Sequence, residues 1–107
     1  MVITGGANVY PREIEEALRG HESVTDIAVI GLPDPEWGER VVAFVVPARE
    51  TSIREMSTSL DAYCLENMAR YKRPKEYHLI SDLPRNGAGK VLKTELRRRL
   101  LDAPDRR

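Results

Sequence analysis

The sequence predicts an α+β fold, a small three-stranded and mainly antiparallel sheet with helices packed on it and a short extra strand at the N-terminus. Three observations carry that prediction. Two apolar, β-prone runs, residues 24–32 and 40–46, flank a proline-bearing loop too short for a parallel crossover, so they pair antiparallel. Two other stretches, residues 8–20 and 52–69, repeat apolar side chains at helical spacing and carry helix start signals. The order of elements then reads short strand, helix, strand, strand, helix, strand, loop, helix, with no internal repeat.

Residues 1–4 are β-prone, and Gly5-Gly6 breaks the run. A chain that opens on strand residues with no turn before them reads as a piece of something longer. In the helix over residues 8–20, Pro11 suits the first position, Glu13 lies in the first turn, and Gly20 suits the stop. Ile14, Ala17 and Leu18 form its apolar stripe, and Glu15 and Arg19 are expected to pair on its outer face. Residues 24–32 form a strand with Ile27, Val29 and Gly31 on one side, ended by Pro33-Asp34-Pro35. Residues 40–46 are apolar on both faces, which predicts a central strand. Trp37 lies in the loop between these strands, where a tryptophan serves as a lid over the core or, less commonly, as a ligand contact.

Ser52-x-x-Glu55 has the pattern of a capping box, and Ile53, Met56, Leu60, Tyr63 and Met68 continue the helix to about Ala69. Cys64 falls on it as a small buried thiol. In Tyr71-Lys72-Arg73-Pro74-Lys75 the proline stops the helix among clustered cations. Residues 76–81 form the third strand, paired with the other two. Residues 93–101 form a last helix with Leu96 and Leu100 inward and Arg97, Arg98 and Arg99 solvated. From Ala103 the chain reads as a frayed tail.

At 107 residues the chain is expected to form a single domain, 1–107, and its 41% hydrophobic and 32% charged content suits a globular protein. No apolar run approaches the roughly 18 residues of a membrane span, and no signal peptide opens the chain. The lone cysteine excludes an internal disulfide and fits a reducing, cytoplasmic setting. His21 and His78 have no companions at metal-ligand spacing, so no metal site is expected. Residues 1–50 carry 4 Lys/Arg against 9 Asp/Glu, and residues 51–107 carry 13 against 8. The basic half suits an anionic ligand, while the acidic half argues against a general nucleic-acid binder.

The chemistry concentrates in Pro84-Arg85-Asn86-Gly87-Ala88-Gly89-Lys90. Gly87 and Gly89 free the backbone for a tight turn, and Lys90 is a compact cation suited to phosphate or carboxylate oxygens. A Walker A loop is excluded, because Pro84 and Val91 occupy positions that need Gly and Ser or Thr. On these residues alone the stretch is either a plain exposed turn or a loop that presents a charge to an anion.

Four separated stretches resemble the C-terminal domain of adenylate-forming enzymes, the superfamily of acyl-CoA synthetases, peptide-synthetase adenylation domains and luciferases. They are the Gly5-Gly6 loop with Pro11-Arg12-Glu13-Ile14-Glu15, the segment from Val29 to Glu39 around Trp37, Tyr71-Lys72-Arg73-Pro74-Lys75, and Leu83 to Lys90. The resemblance implies a large N-terminal partner domain that binds ATP, with Mg, and a carboxylic acid, while this small domain swings between two poses. It implies that Lys90 meets the carboxylate and α-phosphate oxygens as the acyl-adenylate forms, on a loop supported by Gly87 and Gly89. It places Gly5 and Gly6 beside the pantetheine channel of CoA, and Trp37, Tyr71, Arg73 and Lys75 at the CoA nucleotide. Attack of a carboxylate on ATP brings two anions together, so a lysine between them is the charge the chemistry needs.

Two departures stand out. Ala88 replaces the serine of many relatives, and the acidic hinge residue upstream of the glycine loop is absent. The resemblance therefore implies a C-terminal domain without its N-terminal partner, inactive alone and binding no cofactor by itself. Two alternatives stay open: the matching domain of an acyl-AMP ligase that loads a carrier protein, and a small basic nucleic-acid-binding module.

Overall fold

The computed structural model describes residues 1–101, so the tail expected from Ala103 lies outside the described residues. The elements are β1 (Val2–Thr4), β2 (Ala7–Val9), α1 (Pro11–Arg19), β3 (Val24–Asp34), β4 (Gly38–Pro47), α2 (Ile53–Asn67), a 3-10 turn (Arg70–Lys72), β5 (Glu76–Leu79) and α3 (Lys93–Leu101). The class is α+β, as the sequence predicts.

The sheet has five strands where the sequence predicts three plus an N-terminal one. The added strand is β2, which pairs antiparallel with β1 and delays the first helix from residue 8 to Pro11. Gly5 and Gly6 both take positive φ, 59° and 84°, the conformation that closes a two-residue hairpin with the twist of its strands. Val9 is then fully buried opposite Val2, which a helix starting at Asn8 would not achieve.

β4 is the axis. β3 pairs antiparallel with it along nearly its whole length, from Asp34↔Gly38 to Val24↔Pro47. Its other edge is shared: β1 meets it at Thr4↔Gly38, and β5 runs parallel to Val42–Val45. The parallel pairing of β5 follows from the connection, because α2 supplies the long crossover that a parallel neighbour requires.

Alternation along β3 and β4 sends apolar side chains to both faces. Ile27, Val29, Val41, Ala43 and Val45 pack with Ile14 and Leu18 of α1 and with Met56, Leu60 and Cys64 of α2. Ala28, Ile30, Leu32, Val42 and Phe44 pack on the opposite face with Leu83 and with Leu96 of α3. Helix α2 opens as the sequence predicts, with Ser52 Oγ accepting from the Glu55 N–H at 3.1 Å. It closes two residues early, at Asn67, and Ala69 is already extended.

Helix α1 corrects one expectation. Glu15 and Arg19 do not pair with each other on the outer face. Glu15 is buried; its Oε2 accepts from the Val29 N–H at 2.8 Å and from Lys93 Nζ at 2.8 Å. Arg19 turns instead to Asp26, at 3.8 Å. The reason is that β3 is the sheet's edge, and its outward backbone groups need partners that a neighbouring helix can reach.

Because one sheet supplies both faces of the core, the chain is expected to unfold in a single cooperative thermal transition without ligand. Leu96→Ala is expected to cost about 2–5 kcal/mol in a urea titration, since it empties a fully buried position beneath α3.

Candidate functional site

Two features stand at opposite ends of the β3–β4 hairpin. The first is a cleft of about 370 Å³ lined by Thr4, Trp37, Arg70, Tyr71 and Lys75. Its wall is built by a hydrogen-bonded loop. Asp34 Oδ1 accepts from the backbone N–H groups of Glu36 and Trp37, both at 2.9 Å, and these bonds hold the Asp34 carboxyl below its ordinary pKa. The Trp37 carbonyl accepts from the Gly5 N–H at 2.8 Å, which ties the glycine hairpin to the tryptophan loop. A Cβ on Gly5 would lie 2.9 Å from the Trp37 ring, so the glycine is needed for the approach as well as for its φ.

Trp37 belongs to neither core cluster, and 42% of it is exposed. Of the two readings open for it, the structure supports a wall of the cleft over a lid on the core. Lys75 Nζ lies 4.7 Å from the centroid of its ring, a cation–π distance. The Lys75 backbone is itself fixed, its N–H donating to the Val41 carbonyl at 2.8 Å. Arg70 and Tyr71 come from the 3-10 turn, and Lys72 Nζ sits 5.9 Å from the Tyr71 ring. Lys72 also pairs with Glu13 of α1 at 3.0 Å, which pushes its pKa up and pins the turn.

Gly5, Trp37, Tyr71 and Lys75 are thus brought together, with Gly6 exposed at the hairpin tip and open space around it. Arg73 faces elsewhere. Its Nη1 pairs with Asp61 of α2 at 3.2 Å, and Asp61 also accepts from the Tyr77 hydroxyl at 3.0 Å. Burial pushes the Tyr77 hydroxyl up and does the same to the Cys64 thiol 3.7 Å away. The Arg73 Nε is buried with no hydrogen-bond partner among the described residues. Arg70, unmarked in the sequence reading, is the arginine that lines the cleft. Its place directly before Tyr71, in the same run of cations, was the available signal.

The second feature is the Lys90 hairpin. Asn86 organises it: Oδ1 accepts from the Ala88 and Lys90 N–H groups at 2.9 and 3.0 Å, and its own N–H donates to the Lys90 carbonyl at 2.9 Å. Gly89 takes φ 86°, which an L side chain would resist; Gly87 has neither a positive φ nor a close neighbour. Arg85 donates to the Gly89 carbonyl at 2.9 Å and pairs with Asp26. Lys90 is exposed and forms no ion pair among the described residues. Asp26 and Asp34 anchor the two features and lie eight residues apart on β3, roughly 26 Å at the rise of an extended strand. Among the described residues no group of His, Cys, Asp and Glu is arranged to hold a metal ion, and no helix is long and apolar enough to cross a membrane.

Residues 13–90 match the AMP-binding enzyme C-terminal domain. The chain belongs to that family. Sulfoacetate–CoA ligase of Cupriavidus necator is 46% identical over 96 residues, which is 90% of this chain and 18% of that protein. A fatty acid–[acyl-carrier-protein] ligase of Streptomyces coeruleorubidus is 44% identical over 100 residues, covering 92% of this chain and 18% of that protein. Among solved structures, a fatty acyl-CoA synthetase of Mycobacterium tuberculosis superposes with a TM-score of 0.82 at 46% identity, over 92% of this chain and 19% of that one. The chain thus spans about a fifth of the length of the relatives it matches. Within this AMP-binding C-terminal domain the family match runs through Trp37, the Tyr71–Lys75 segment and Lys90.

Trp37 is the sole tryptophan, so intrinsic fluorescence reports on the cleft. The Asp34 pKa is depressed in the folded state, so its stabilising contribution is present above the ordinary 3.8 and is lost as pH falls through the lower folded value. The Trp37 emission is expected to titrate with a midpoint below 3.8, and Asp34→Ala to abolish that transition.

Proposed function

We propose that this chain is the lysine-bearing C-terminal domain of an AMP-forming acyl-CoA synthetase, which converts a carboxylate, ATP and CoA to acyl-CoA, AMP and pyrophosphate. The single observation that carries the reading is the pair of anion-directed surfaces at opposite ends of one rigid hairpin. One domain can offer only one of them at a time to a single active site, which is what two successive half-reactions require.

In the first half-reaction Lys90 lies between the attacking carboxylate and the α-phosphate of ATP, whose Mg is held with the nucleotide by the N-terminal domain. A cation fixed there offsets the repulsion of two anions as the acyl-adenylate forms. The bonds around Asn86 and Gly89 hold the backbone that presents it. In the second half-reaction the cleft faces the site. Trp37 and Tyr71 offer aromatic planes to the CoA nucleotide, while Lys75 and Arg70 offer charge to its phosphates. Arg73 is retained as a further cation, two residues beyond Tyr71, with part of its fork shared with Asp61. Gly5 and Gly6 leave a side-chain-free backbone beside which a pantetheine arm passes. ATP and CoA are substrates of the whole enzyme, the acyl-adenylate its intermediate, and the setting cytoplasmic, as the lone unpaired Cys64 suits.

The similarity to a ligase that loads an acyl carrier protein favours a second reading, in which the thiol comes from a carrier's phosphopantetheine arm. The cations of the cleft favour free CoA, because a carrier-borne arm brings no nucleotide to them.

In the full-length enzyme Lys90→Ala is expected to slow ATP–pyrophosphate exchange by about 10²–10³ and to spare thioester formation from supplied acyl-adenylate. Equal loss in both half-reactions would remove Lys90 from this role. Trp37→Ala and Arg70→Ala are each expected to weaken CoA binding by about 1–2 kcal/mol, read as a higher KM for CoA with adenylation unchanged. Arg73→Ala is expected to raise the KM less. A defect seen with a carrier protein and not with free CoA would favour the second reading.

A further inference from the structure

Helices α1 and α3 lie on opposite faces of the sheet, with Ile14 and Leu18 in one core cluster and Leu96 in the other. They meet around the open edge of β3. Along that edge Arg19 reaches the Ile27 carbonyl at 3.5 Å, Glu15 accepts from the Val29 N–H at 2.8 Å, and Arg97 donates to the Gly31 carbonyl at 3.2 Å. Alternate residues of an edge strand turn their backbone groups outward, and charged side chains from two helices cover these three in turn. Glu15 is the member that joins the helices, because its carboxylate also holds Lys93 Nζ at 2.8 Å.

Lys93 is the first residue of α3, three positions after Lys90. A cation in a helix's first turn opposes the helix dipole, so its placement there needs a compensating anion. Glu15 provides it from a side chain only 11% exposed, where an ion pair is little screened. The hairpin closes immediately before Lys93, with the Leu92 N–H donating to the Pro84 carbonyl at 2.8 Å. Arg85 anchors the incoming strand of this hairpin on Asp26, and Lys93 anchors its outgoing end on Glu15.

We infer that Glu15 is a positioning residue for Lys90: through Lys93 it fixes the base of the lysine hairpin to α1 and the β3 edge. The inference rests on the reading of Lys90 given above for its catalytic consequence, but its structural part is measured separately.

The test uses Glu15→Gln, which keeps an amide oxygen for the Val29 N–H and loses the ion pair, together with Lys93→Met and Lys93→Arg. Hydrogen exchange is followed at the Asn86, Gly89, Lys90 and Leu92 amides and, as a reference, at residues 42–45 of β4. Glu15→Gln and Lys93→Met are expected to speed exchange in the hairpin on the order of tenfold with β4 unchanged, and Lys93→Arg to restore protection. Unchanged hairpin exchange, or equal acceleration in hairpin and β4, would overturn the inference. In the full-length enzyme the same two variants are expected to lower the adenylation kcat about 10- to 100-fold, with the KM for ATP and the thioester half-reaction kept. Lys90→Ala serves as the control. If it cripples adenylation and Glu15→Gln does not, the positioning role falls and the catalytic reading stands. If Lys90→Ala spares adenylation, the catalytic reading falls, and exchange alone decides whether Glu15 holds the hairpin.

Discussion

Strand β4 is hydrogen-bonded on both edges and buried on both faces, and the rest of the domain is arranged by that constraint. A strand of this kind needs apolar side chains at every position, and residues 41–45 supply them as Val-Val-Ala-Phe-Val. Its two faces demand two covering layers. Helices α1 and α2 supply one, and α3 with Leu83 supplies the other. Its second edge is too long for β1 alone, so β5 fills the remainder, and a parallel partner obliges the chain to cross over through α2. The segment that carries Tyr71 and Lys75 is the return of that crossover, which is how it arrives beside Trp37.

Charge is distributed along the same frame. Every β3 position that turns its backbone outward lacks a strand partner, and an uncovered edge invites pairing with another chain. Here side chains from helices close it at Ile27, Val29 and Gly31, at the cost of placing Glu15 in a buried setting with Lys93. A buried carboxylate is tolerable when it accepts a backbone N–H and a cation at once, and Glu15 does both. Across β4, on its other edge, Glu76 follows a similar rule. Its pKa is lowered against the opposing pull of burial because His78 and Arg40 both contact it. Charged groups near this sheet act as fasteners between elements.

The cleft and the lysine hairpin are stiffened by different means. The cleft wall depends on a single carboxylate that gathers two backbone N–H groups, while the hairpin depends on one asparagine side chain and one left-handed glycine. In both, the candidate side chain itself takes little part in the scaffold. Lys90 carries no ion pair among the described residues, and the Trp37 ring meets Lys75 by its face. Backbones that are already ordered suit surfaces that must engage a ligand supplied from elsewhere, because the ordering entropy lost on contact is then confined to the side chain.

The sequence by itself determined what is local or periodic. Alternation and capping placed α1, α2, β3, β4 and α3 to within a few residues, and the apolar content of β4 marked it as central. The Gly-Gly hairpin was present as a turn signal too, but a three-residue strand has too few positions for alternation to outweigh the helix signals that follow it. Tertiary structure alone decided three things. It made β5 parallel, since partner direction depends on where a crossover helix lands. It turned Arg73 toward Asp61 and put Arg70 in the cleft, because the 3-10 turn ends at Lys72 and the chain is already extended at Arg73, so the two arginines leave the backbone in different directions that composition cannot distinguish. And it buried Glu15, which in sequence is one more acid on an amphipathic helix. Helical spacing says which residues share a face, but whether an edge strand with an unpaired N–H waits opposite that face is a fact about another part of the chain.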